Sequence, residues 1–378
     1  MSKLNQEEIK RYNRHLILRD FGMEGQLKLK NSKVVVIGAG GLGCPALQYL
    51  TAAGVGTIGI IDSDVVHESN LQRQILFKNS DIGKNKAETA RLRLLELNPS
   101  IFIQAHSIRI TSHNALELLQ PYDVVLDGSD NFPTRYLLND ACVLLNKPLV
   151  YGSVLEYEGQ LGVFNLKKNG TFCTNYRDIF PFPPEPGSVP DCEQAGVLGV
   201  LPGMIGSMQA NEVIKILTGR GEPLADKLLL IDTNSMDITS IGIRNTNARD
   251  GIKKLIDYED FCGINEKKNK SLGMKEITVQ ELQQLKQSGA DFQLIDVREP
   301  HEYDICNLEG ELIPQAEIPF NVDKVSKDKK VVVHCRSGKR SGDMVNWLEK
   351  NHGFTNLYNL KGGVLAWAKE IDPTMPTY

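Results

Sequence analysis

The sequence predicts an α/β protein of two domains, the first built around a mainly parallel sheet and the second smaller. Short apolar runs at 33–40, 57–62 and 123–130 alternate with a helical segment at 85–98, which is the spacing typical of βαβ units. A second pattern of this kind begins after residue 275. The chain of 378 residues is also longer than one typical domain.

The first domain continues with a further helix and strand. The helix is predicted over 202–219, because Pro202 lies near its start and Gly219 is a typical stop. A strand follows at 227–233. The uncharged run at 34–61 is long enough to suggest a membrane span, but its glycines divide it into strand, loop, helix and strand.

A polar segment without period separates the two domains. It covers residues 246–275 and predicts a linker that lets the second domain move relative to the first. We therefore place one domain at 1–245 and the other at 276–378. In the second domain we predict three strands, at 292–297, 330–335 and 356–360, and one helix at 341–353.

Composition restricts the class of partner. The chain has 43 Lys and Arg against 47 Asp and Glu, a net charge of -4, which argues against nucleic acid or a membrane surface as the partner. Its seven cysteines are scattered and odd in number, and no signal segment opens the chain. These features predict a cytoplasmic protein with reduced thiols.

A glycine-rich loop follows the first predicted strand. Gly38, Gly40 and Gly43 open a helix, so that main-chain amides can approach a phosphate, and Asp62 ends the next strand, where it can accept hydrogen bonds from a ribose. These features alone favour a nicotinamide-dependent dehydrogenase. The residues that follow this loop in the sequence decide between a dehydrogenase and another nucleotide-binding enzyme.

Charged and polar residues downstream favour adenylyl transfer instead. Asn70, Arg73 and Lys86 follow the second strand, and Asp130 ends a later one. Hydride transfer has little use for such cations, whereas phosphates need them and a carboxylate can hold magnesium. The competing interpretation is that each charged residue simply lies on a solvated surface and has no role in binding.

Several motifs in order resemble one family. The chain is similar to the adenylyltransferases that activate ubiquitin-like sulfur carriers in molybdopterin and thiamine synthesis, relatives of ubiquitin-activating enzymes with a Rossmann-like domain. The resemblance covers about 240 residues and rests on "RYNRHLILRDFG", "GAGGLGCPALQYLTAAGVGTIGIID", "SNLQRQILF", "DGSDNFPTR" and "AGVLGVLPGMIGSMQANEVIK".

The resemblance implies a set of ATP and magnesium ligands. Asp62 would hold the ribose, Asp130 would hold Mg²⁺, and Arg14 would reach into the site of a partner subunit, which implies a homodimer. Arg73 and Asp130 would also be catalytic. The nucleotide-binding set would be Arg14, Gly38, Gly40, Gly41, Gly43, Asp62, Asn70, Arg73, Lys86, Asp130 and Asn131. The C-terminal glycine carboxylate of a Gly-Gly carrier would attack the α-phosphate of ATP and release pyrophosphate.

The family commonly carries two CxxC pairs that bind zinc, and this chain departs from that pattern. Asn175 and Asp178 follow Cys173 where the first pair belongs, and Cys262 alone represents the second. Four-cysteine coordination is excluded and we expect no zinc, although a site of Cys173, Asp178 and Cys262 stays open. In the same family a loop cysteine at Cys192 can bond to the carrier or resolve a persulfide; a passive loop thiol is the equal alternative.

Cys335 ends a strand in "VVVHCRSGKRSG", and the segment from 294 to 367 resembles a rhodanese sulfurtransferase domain. Loop amides, a helix start near Ser341 and the nearby Arg336, Lys339 and Arg340 would stabilise a thiolate and a persulfide anion. A cysteine phosphatase uses a similar loop, but its arginine lies six residues after the cysteine, where this chain has Ser341.

Together these features predict one combined reaction. The first domain would adenylate the carrier, the Cys335 persulfide would attack the acyl-adenylate, and reduction through Cys192 would release a thiocarboxylate. The molybdopterin-synthase carrier is favoured, with a thiamine-pathway carrier or a thioester-forming activator of a ubiquitin-like modifier as alternatives. A cysteine desulfurase or thiosulfate would supply the sulfur.

Overall fold

A computed structural model describes residues 3–184, 196–263 and 274–378. The chain divides into two compact units, residues 1–262 and 263–378, and each is described by itself.

The first unit is built on an eight-stranded mixed sheet. Its strands lie in the order β10-β9-β6-β5-β4-β1-β2-β3, in which β1 to β5 pair in parallel and β6, β9 and β10 pair antiparallel. A two-stranded ribbon, β7 with β8, lies outside it. The strands are β1 Lys33–Ile37, β2 Thr57–Ile61, β3 Phe102–His106, β4 Val124–Asp127, β5 Leu149–Leu155, β6 Glu158–Phe164, β7 Lys167–Lys168, β8 Thr171–Phe172, β9 Lys227–Asp232 and β10 Asp237–Gly242.

Helices follow most of these strands. Asn131 caps the seventh helix through its side chain, with Pro133 in the first turn, and Gly219 ends the ninth in a left-handed conformation. The helices are α1 Gln6–Arg11, α2 Asn13–Leu16, α3 Gly22–Asn31, α4 Gly43–Ala53, α5 Lys86–Leu97, α6 Ala115–Leu119, α7 Phe132–Leu145, α8 Tyr176–Ile179, α9 Val200–Thr218 and α10 Tyr258–Phe261. Across the described ranges, no helix is both long and apolar enough to cross a bilayer.

The topology of the sheet determines where a ligand can bind. β1 lies in the middle of the parallel strands, with β2 and β3 on one side of it in the sheet and β4 and β5 on the other side. The loops after β1 and β4 therefore diverge at the carboxyl edge of the sheet, which is where α/β sheets bind ligands. The uncharged run at 34–61 forms β1, α4 and β2, as predicted, and supplies much of the core of this unit.

The segment after β10 differs from the predicted linker. Residues 246–262 belong to the first unit, because their polar groups find partners there. Thr246 N donates to Asp178 Oδ1 at 2.8 Å, and the hydroxyl of Tyr258 donates to Asp140 Oδ2 at 2.7 Å. The rest of the predicted linker, apart from 263, 274 and 275, lies outside the described residues.

The second unit has a five-stranded sheet in the order β11-β15-β14-β12-β13, with all four pairings parallel. Its strands are β11 Glu276–Ile277, β12 Phe292–Asp296, β13 Glu311–Leu312, β14 Lys330–His334 and β15 Leu357–Leu360. Its helices are α11 Val279–Ser288, α12 Pro300–Ile305, α13 Lys339–His352 and α14 Gly363–Glu370. The three predicted strands are confirmed, and α13 begins two residues before the predicted start.

Candidate active sites

A cavity of about 570 Å³ opens where the loops after β1 and β4 diverge. It collects most of the predicted nucleotide-binding residues from separate parts of the chain. Those lining it are Gly38, Gly40, Gly41, Asp62, Asn70, Arg73, Lys86, Asp130 and Asn131.

The glycine loop is shaped by close main-chain contacts. Gly38 has a φ of +89°, and a Cβ there would lie 2.8 Å from the carbonyl oxygen of Gly128. A Cβ on Gly43 would lie 1.9 Å from the carbonyl oxygen of Gly38, so the first turn of α4 packs directly on the loop. Gly43 therefore fixes the loop from behind and does not line the cavity.

Asp62 stands at the end of β2 with its carboxylate fixed by the main chain. Ala39 N donates to Oδ2 at 2.7 Å, and Asp64 N donates to Oδ1 at 2.8 Å. Burial raises the pKa of Asp62, although these two amides act in the opposite direction. Each carboxylate oxygen retains acceptor capacity, which fits the predicted contact with ribose hydroxyls.

Two cations lie along the cavity wall in weak, replaceable contacts. The side chain of Lys86 is 9% exposed, and Nζ lies 3.2 Å from Asp64 Oδ2, whose side chain is 68% exposed. Arg73 Nη1 donates to the carbonyl oxygen of Ser69 at 3.1 Å. An ion pair with an exposed partner contributes little, so an incoming phosphate can replace Asp64 at small cost.

The loop after β4 presents an exposed carboxylate. Asp127 is fully buried and accepts hydrogen bonds from Ser129 N and Oγ at 2.9 and 2.6 Å, which holds the loop rigid. Asp130 is exposed beside it. Asn131 caps α7, since its Oδ1 accepts from Thr134 N at 3.0 Å, and its Nδ2 donates to Asp130 Oδ1 at 3.4 Å.

Magnesium would find oxygen ligands at Asp130 but no complete protein cage. Among the residues that the structure describes, no three His, Cys, Asp or Glu side chains cluster in a way that could hold a metal. Mg²⁺ commonly takes one or two carboxylates and completes its shell with water and substrate phosphates. The residues present therefore fit a magnesium ion that arrives with a nucleotide.

Sequence reasoning missed further polar residues that line the same cavity, among them Asp64, Arg109, Ser129 and Arg135. Arg109 pairs with Glu259 at 2.8 Å, across 150 residues of sequence. Arg135 is 7% exposed and lies over the rings of Phe132 and Tyr151, at 5.3 and 5.8 Å from their centroids. Ser129 and Arg135 lie inside the motif "DGSDNFPTR", and Asp64 comes two residues after Asp62, so their position was the available signal, whereas Arg109 lies in none of the identified motifs.

Arg14 does not line the cavity of its own chain. It is exposed on α2, a four-residue helix. The role that the resemblance assigns to it, in a partner subunit's site, stays a prediction.

The residues proposed for a residual zinc site are engaged otherwise. Asp178 Oδ2 accepts from Asn175 N and Nδ2 at 2.8 and 2.7 Å, and its Oδ1 accepts from Thr246 N and Oγ1. Burial raises the pKa of both Cys173 and Cys262 to about 11, which disfavours the thiolates that bind zinc. Cys192 lies outside the described residues.

The second site surrounds Cys335, directly after β14. Its Sγ accepts a hydrogen bond from Gly338 N at 3.2 Å. The carbonyl oxygens of Cys335 and Arg336 point away, because they accept from Val364 N and Leu365 N at 3.0 Å each. The first-turn amides of α13, which begins at Lys339, have no helical acceptors and supply partial positive charge to the same loop.

The arginines of this loop are held in place by two neighbours. Arg340 donates two hydrogen bonds to the Glu302 carboxylate, at 2.7 and 2.6 Å, and Arg336 Nε donates to the main-chain oxygen of Tyr378 at 2.6 Å. Arg340 is therefore neutralised, unlike the free phosphate-binding arginine of a phosphatase loop. One loop amide, that of Gly338, donates to Sγ, and the positive charge near the thiol is smaller than the sequence suggests.

Glu302 gives this unit a pH-dependent contact. Burial opposes its ionisation, but Arg340 and the Glu299 amide outweigh burial and lower the pKa to about 2. The contact therefore stabilises the fold fully above the unfolded pKa of about 4.5 and is lost as the pH falls towards 2. His334 behaves differently: it is fully buried, and burial lowers its pKa to about 4, so it is neutral near pH 7.

We expect Glu302→Gln to lower the free energy of unfolding of this unit by about 2 kcal/mol at pH 7. The deficit should shrink as the pH falls from about 4.5 to about 2, because the Glu302 carboxylate of the unfolded wild-type chain then takes up a proton while that of the folded protein is still ionised. Both tryptophans, Trp347 and Trp367, lie in this unit, so urea denaturation followed by their fluorescence reports it alone. Glu276→Gln, at the exposed pair with Lys361, is the matched control. A deficit independent of pH would contradict this assignment.

Comparison with known proteins gives two family matches. The ThiF family matches residues 12–252, and the rhodanese-like domain matches residues 278–370. The two matches together cover the cavity of the first unit and the Cys335 loop of the second.

Relatives match over the whole chain. A "Probable adenylyltransferase/sulfurtransferase MoeZ" of Mycobacterium tuberculosis is 45% identical over 100% of this chain and 97% of its own. An "Adenylyltransferase and sulfurtransferase MOCS3" of Drosophila yakuba is 45% identical over 100% of this chain and 86% of its own. Among solved structures, E. coli MccB with ATP superposes with a TM-score of 0.56 at 25% identity, covering 64% of this chain and 73% of that one.

Proposed function

The chain belongs to the ThiF family and carries a rhodanese-like domain, and from this premise we propose that it adenylates a ubiquitin-like sulfur carrier and then transfers sulfur to it. It is an adenylyltransferase with a sulfurtransferase domain. The observation that carries the proposal is the coexistence, in one chain, of a charged cavity at the switch point of the sheet and a cysteine whose Sγ accepts a hydrogen bond from a loop amide at the start of a helix.

The first reaction needs positioning and neutralisation of charge. The carboxylate of the carrier's C-terminal glycine attacks the α-phosphorus of ATP, the bond to the bridging oxygen breaks, and pyrophosphate leaves with the electron pair. Lys86 and Arg73 would offset the developing charge, and Asp62 would orient the ribose. Asp130 would hold Mg²⁺, which supplies further neutralisation of the phosphates. The nucleophile is already a carboxylate, so no general base is required.

The second reaction uses Cys335. The terminal sulfur of its persulfide attacks the carbonyl carbon of the acyl-adenylate, and AMP leaves with the electron pair. The product is an acyl disulfide between the carrier and Cys335. A thiol then attacks the Cys335 sulfur of that disulfide, so that the carrier leaves as a thiocarboxylate and a protein disulfide remains. We propose that this thiol is Cys192. We also propose that the carrier is the molybdopterin-synthase carrier.

The test is mass spectrometry of candidate Gly-Gly carriers incubated with the protein, ATP, Mg²⁺ and a sulfur donor. Replacement of one oxygen by one sulfur on a carrier, with release of pyrophosphate, is the expected result. Adenylated carriers that never gain sulfur under any donor would overturn the combined function. The carrier that reacts identifies the pathway.

We further propose a homodimer in which Arg14 serves the partner's site. Arg14→Ala and Arg73→Ala should each remove pyrophosphate release when assayed alone. A mixture of the two variants, unfolded and refolded together, should regain up to about a quarter of wild-type activity, since half of the dimers are mixed and each mixed dimer has one intact site. Absence of recovery in a mixture shown by mass to contain mixed dimers would refute the shared site.

A further inference from the structure

A buried polar pair lies beneath the sulfur of Cys335. Ser341, in the first turn of α13, is 0% exposed, and Asn359, on β15, is 3% exposed. The hydroxyl oxygen of Ser341 is 3.4 Å from Cys335 Sγ and 2.6 Å from Asn359 Oδ1. Neither side chain has a part in the reactions described above.

The Ser341 hydroxyl has one proton, which it can donate either to Asn359 Oδ1 or to Cys335 Sγ. The shorter distance favours Asn359 Oδ1 as the acceptor of the proton, and a lone pair of the hydroxyl can then face the sulfur. That arrangement suits a neutral Cys335 thiol, which can donate to the hydroxyl. An anionic sulfur is a stronger acceptor than an amide oxygen, so a thiolate draws the proton away from Asn359.

Asn359 is confined under the loop. A Cβ on Gly342 would lie 3.4 Å from Asn359 Nδ2, and one on Gly338 would lie 3.7 Å from it. Its side chain therefore lies close to both Gly338 and Gly342, which flank the position of Ser341, and leaves little space there for a larger residue. When the hydroxyl turns to sulfur, Asn359 Oδ1 loses its donor in a buried place, which opposes the turn.

We propose that Ser341 is a catalytic residue of sulfur loading, in which its hydroxyl donates to the Cys335 thiolate, and that Asn359 is a positioning residue that competes for the same proton. The inference rests on the proposed sulfurtransferase function and deepens it.

The step at which Ser341 acts is the attack on a sulfur donor. The Cys335 thiolate attacks the outer sulfur of a persulfide donor, a new S–S bond forms at Sγ, and the donor's S–S bond breaks. The donor's inner sulfur leaves as a thiolate with the electron pair and takes the proton that Cys335 gave up. No net oxidation or reduction takes place. Ser341 and Gly338 N together hold the negative charge on Sγ before the attack.

The two residues should shift the reactivity of Cys335 in opposite directions. We would measure the rate at which iodoacetamide alkylates Cys335 from pH 5 to 10 in the full-length protein, by mass of the peptide that contains it. In Ser341→Ala, alkylation at pH 7 should fall about tenfold and its half-maximal pH should rise by about one unit. In Asn359→Leu, the freed hydroxyl should move the half-maximal pH downward.

Two matched variants separate this role from packing. Ser337→Ala makes the same change at an exposed position of the same loop and should behave as wild type. Ser341→Thr keeps the hydroxyl and should restore most of the reactivity. A loss in Ser341→Ala that is equal at every pH and is not recovered in Ser341→Thr would overturn the inference, as would a rise in the half-maximal pH of Asn359→Leu.

A loading experiment distinguishes failure of this inference from failure of the proposed function. Wild-type protein is treated with a small persulfide, and the sulfur gained at Cys335 is followed by mass. If wild type gains no sulfur, the sulfurtransferase proposal fails. If wild type and Ser341→Ala load at the same rate, the function stands and the role of Ser341 is refuted.

Discussion

Arg73→Ala should lower carrier-dependent pyrophosphate release by roughly a thousandfold or more. Arg73 lines the cavity at the switch point of the sheet, and within the described residues its guanidinium makes one hydrogen bond, from Nη1 to the Ser69 carbonyl. Its guanidinium is thus available for phosphate. Because the reaction requires no general base, the loss of one cation removes a large part of what the protein contributes.

Whether the loss of activity in Arg73→Ala appears in kcat or in the KM for ATP tests the mechanism. A residue that stabilises charge mainly in the transition state affects kcat more than the KM for ATP. We therefore expect kcat to fall by the larger factor when pyrophosphate is measured with a fixed carrier and varied ATP. A rise in KM alone would indicate that Arg73 binds ground-state nucleotide and does not assist the transfer.

A matched surface variant controls for the change of charge. Arg91→Ala removes an arginine from α5, where it pairs with Glu88 outside the cavity. It should retain nearly full activity and stability. Equal losses in Arg91→Ala and Arg73→Ala would mean that the overall charge of the unit, and not the cavity, controls the reaction.

The site residues that the sequence predicted best are those whose position in the fold follows from the few residues around them in the chain. The glycine loop, Asp62 and Asp130 all follow strands that pair in parallel within the mixed sheet, and the carboxyl ends of such strands meet at one edge. A pattern within ten residues is then enough to place each side chain. The same reasoning located Cys335 at the end of β14.

Contacts between distant segments were not predictable in this way. Arg109 meets Glu259 across 150 residues, and Arg340 meets Glu302 across 38, and no periodicity records either pairing. The second of these changes the chemistry, because it neutralises a cation that the sequence placed beside the thiol. The linker differed for a related reason: the polar groups of Thr246 and Tyr258 are satisfied by the first unit.

Replacement of Cys335 should separate the two reactions. In Cys335→Ala we expect the carrier to be adenylated and to gain no sulfur, with thiocarboxylate formation at least a thousandfold below wild type, because no other group in the loop can form a persulfide. The residues proposed for adenylation all belong to the first unit, whereas Cys335 belongs to the second. Cys335→Ser should give the same result, since its hydroxyl cannot carry sulfane sulfur.

A second cysteine of the same unit provides the control. Cys306 is 7% exposed, and its Sγ accepts a long contact of 3.9 Å from Arg298 Nη1, whereas the short contact from Arg298, 2.7 Å, goes to the main-chain oxygen of Cys306. Cys306→Ala should leave sulfur on the carrier at close to the wild-type level. If Cys335→Ala still produces thiocarboxylate, sulfur reaches the acyl-adenylate without the second unit, and the two units are separate enzymes. If Cys306→Ala alone abolishes it, the sulfur-bearing residue has been assigned to the wrong cysteine.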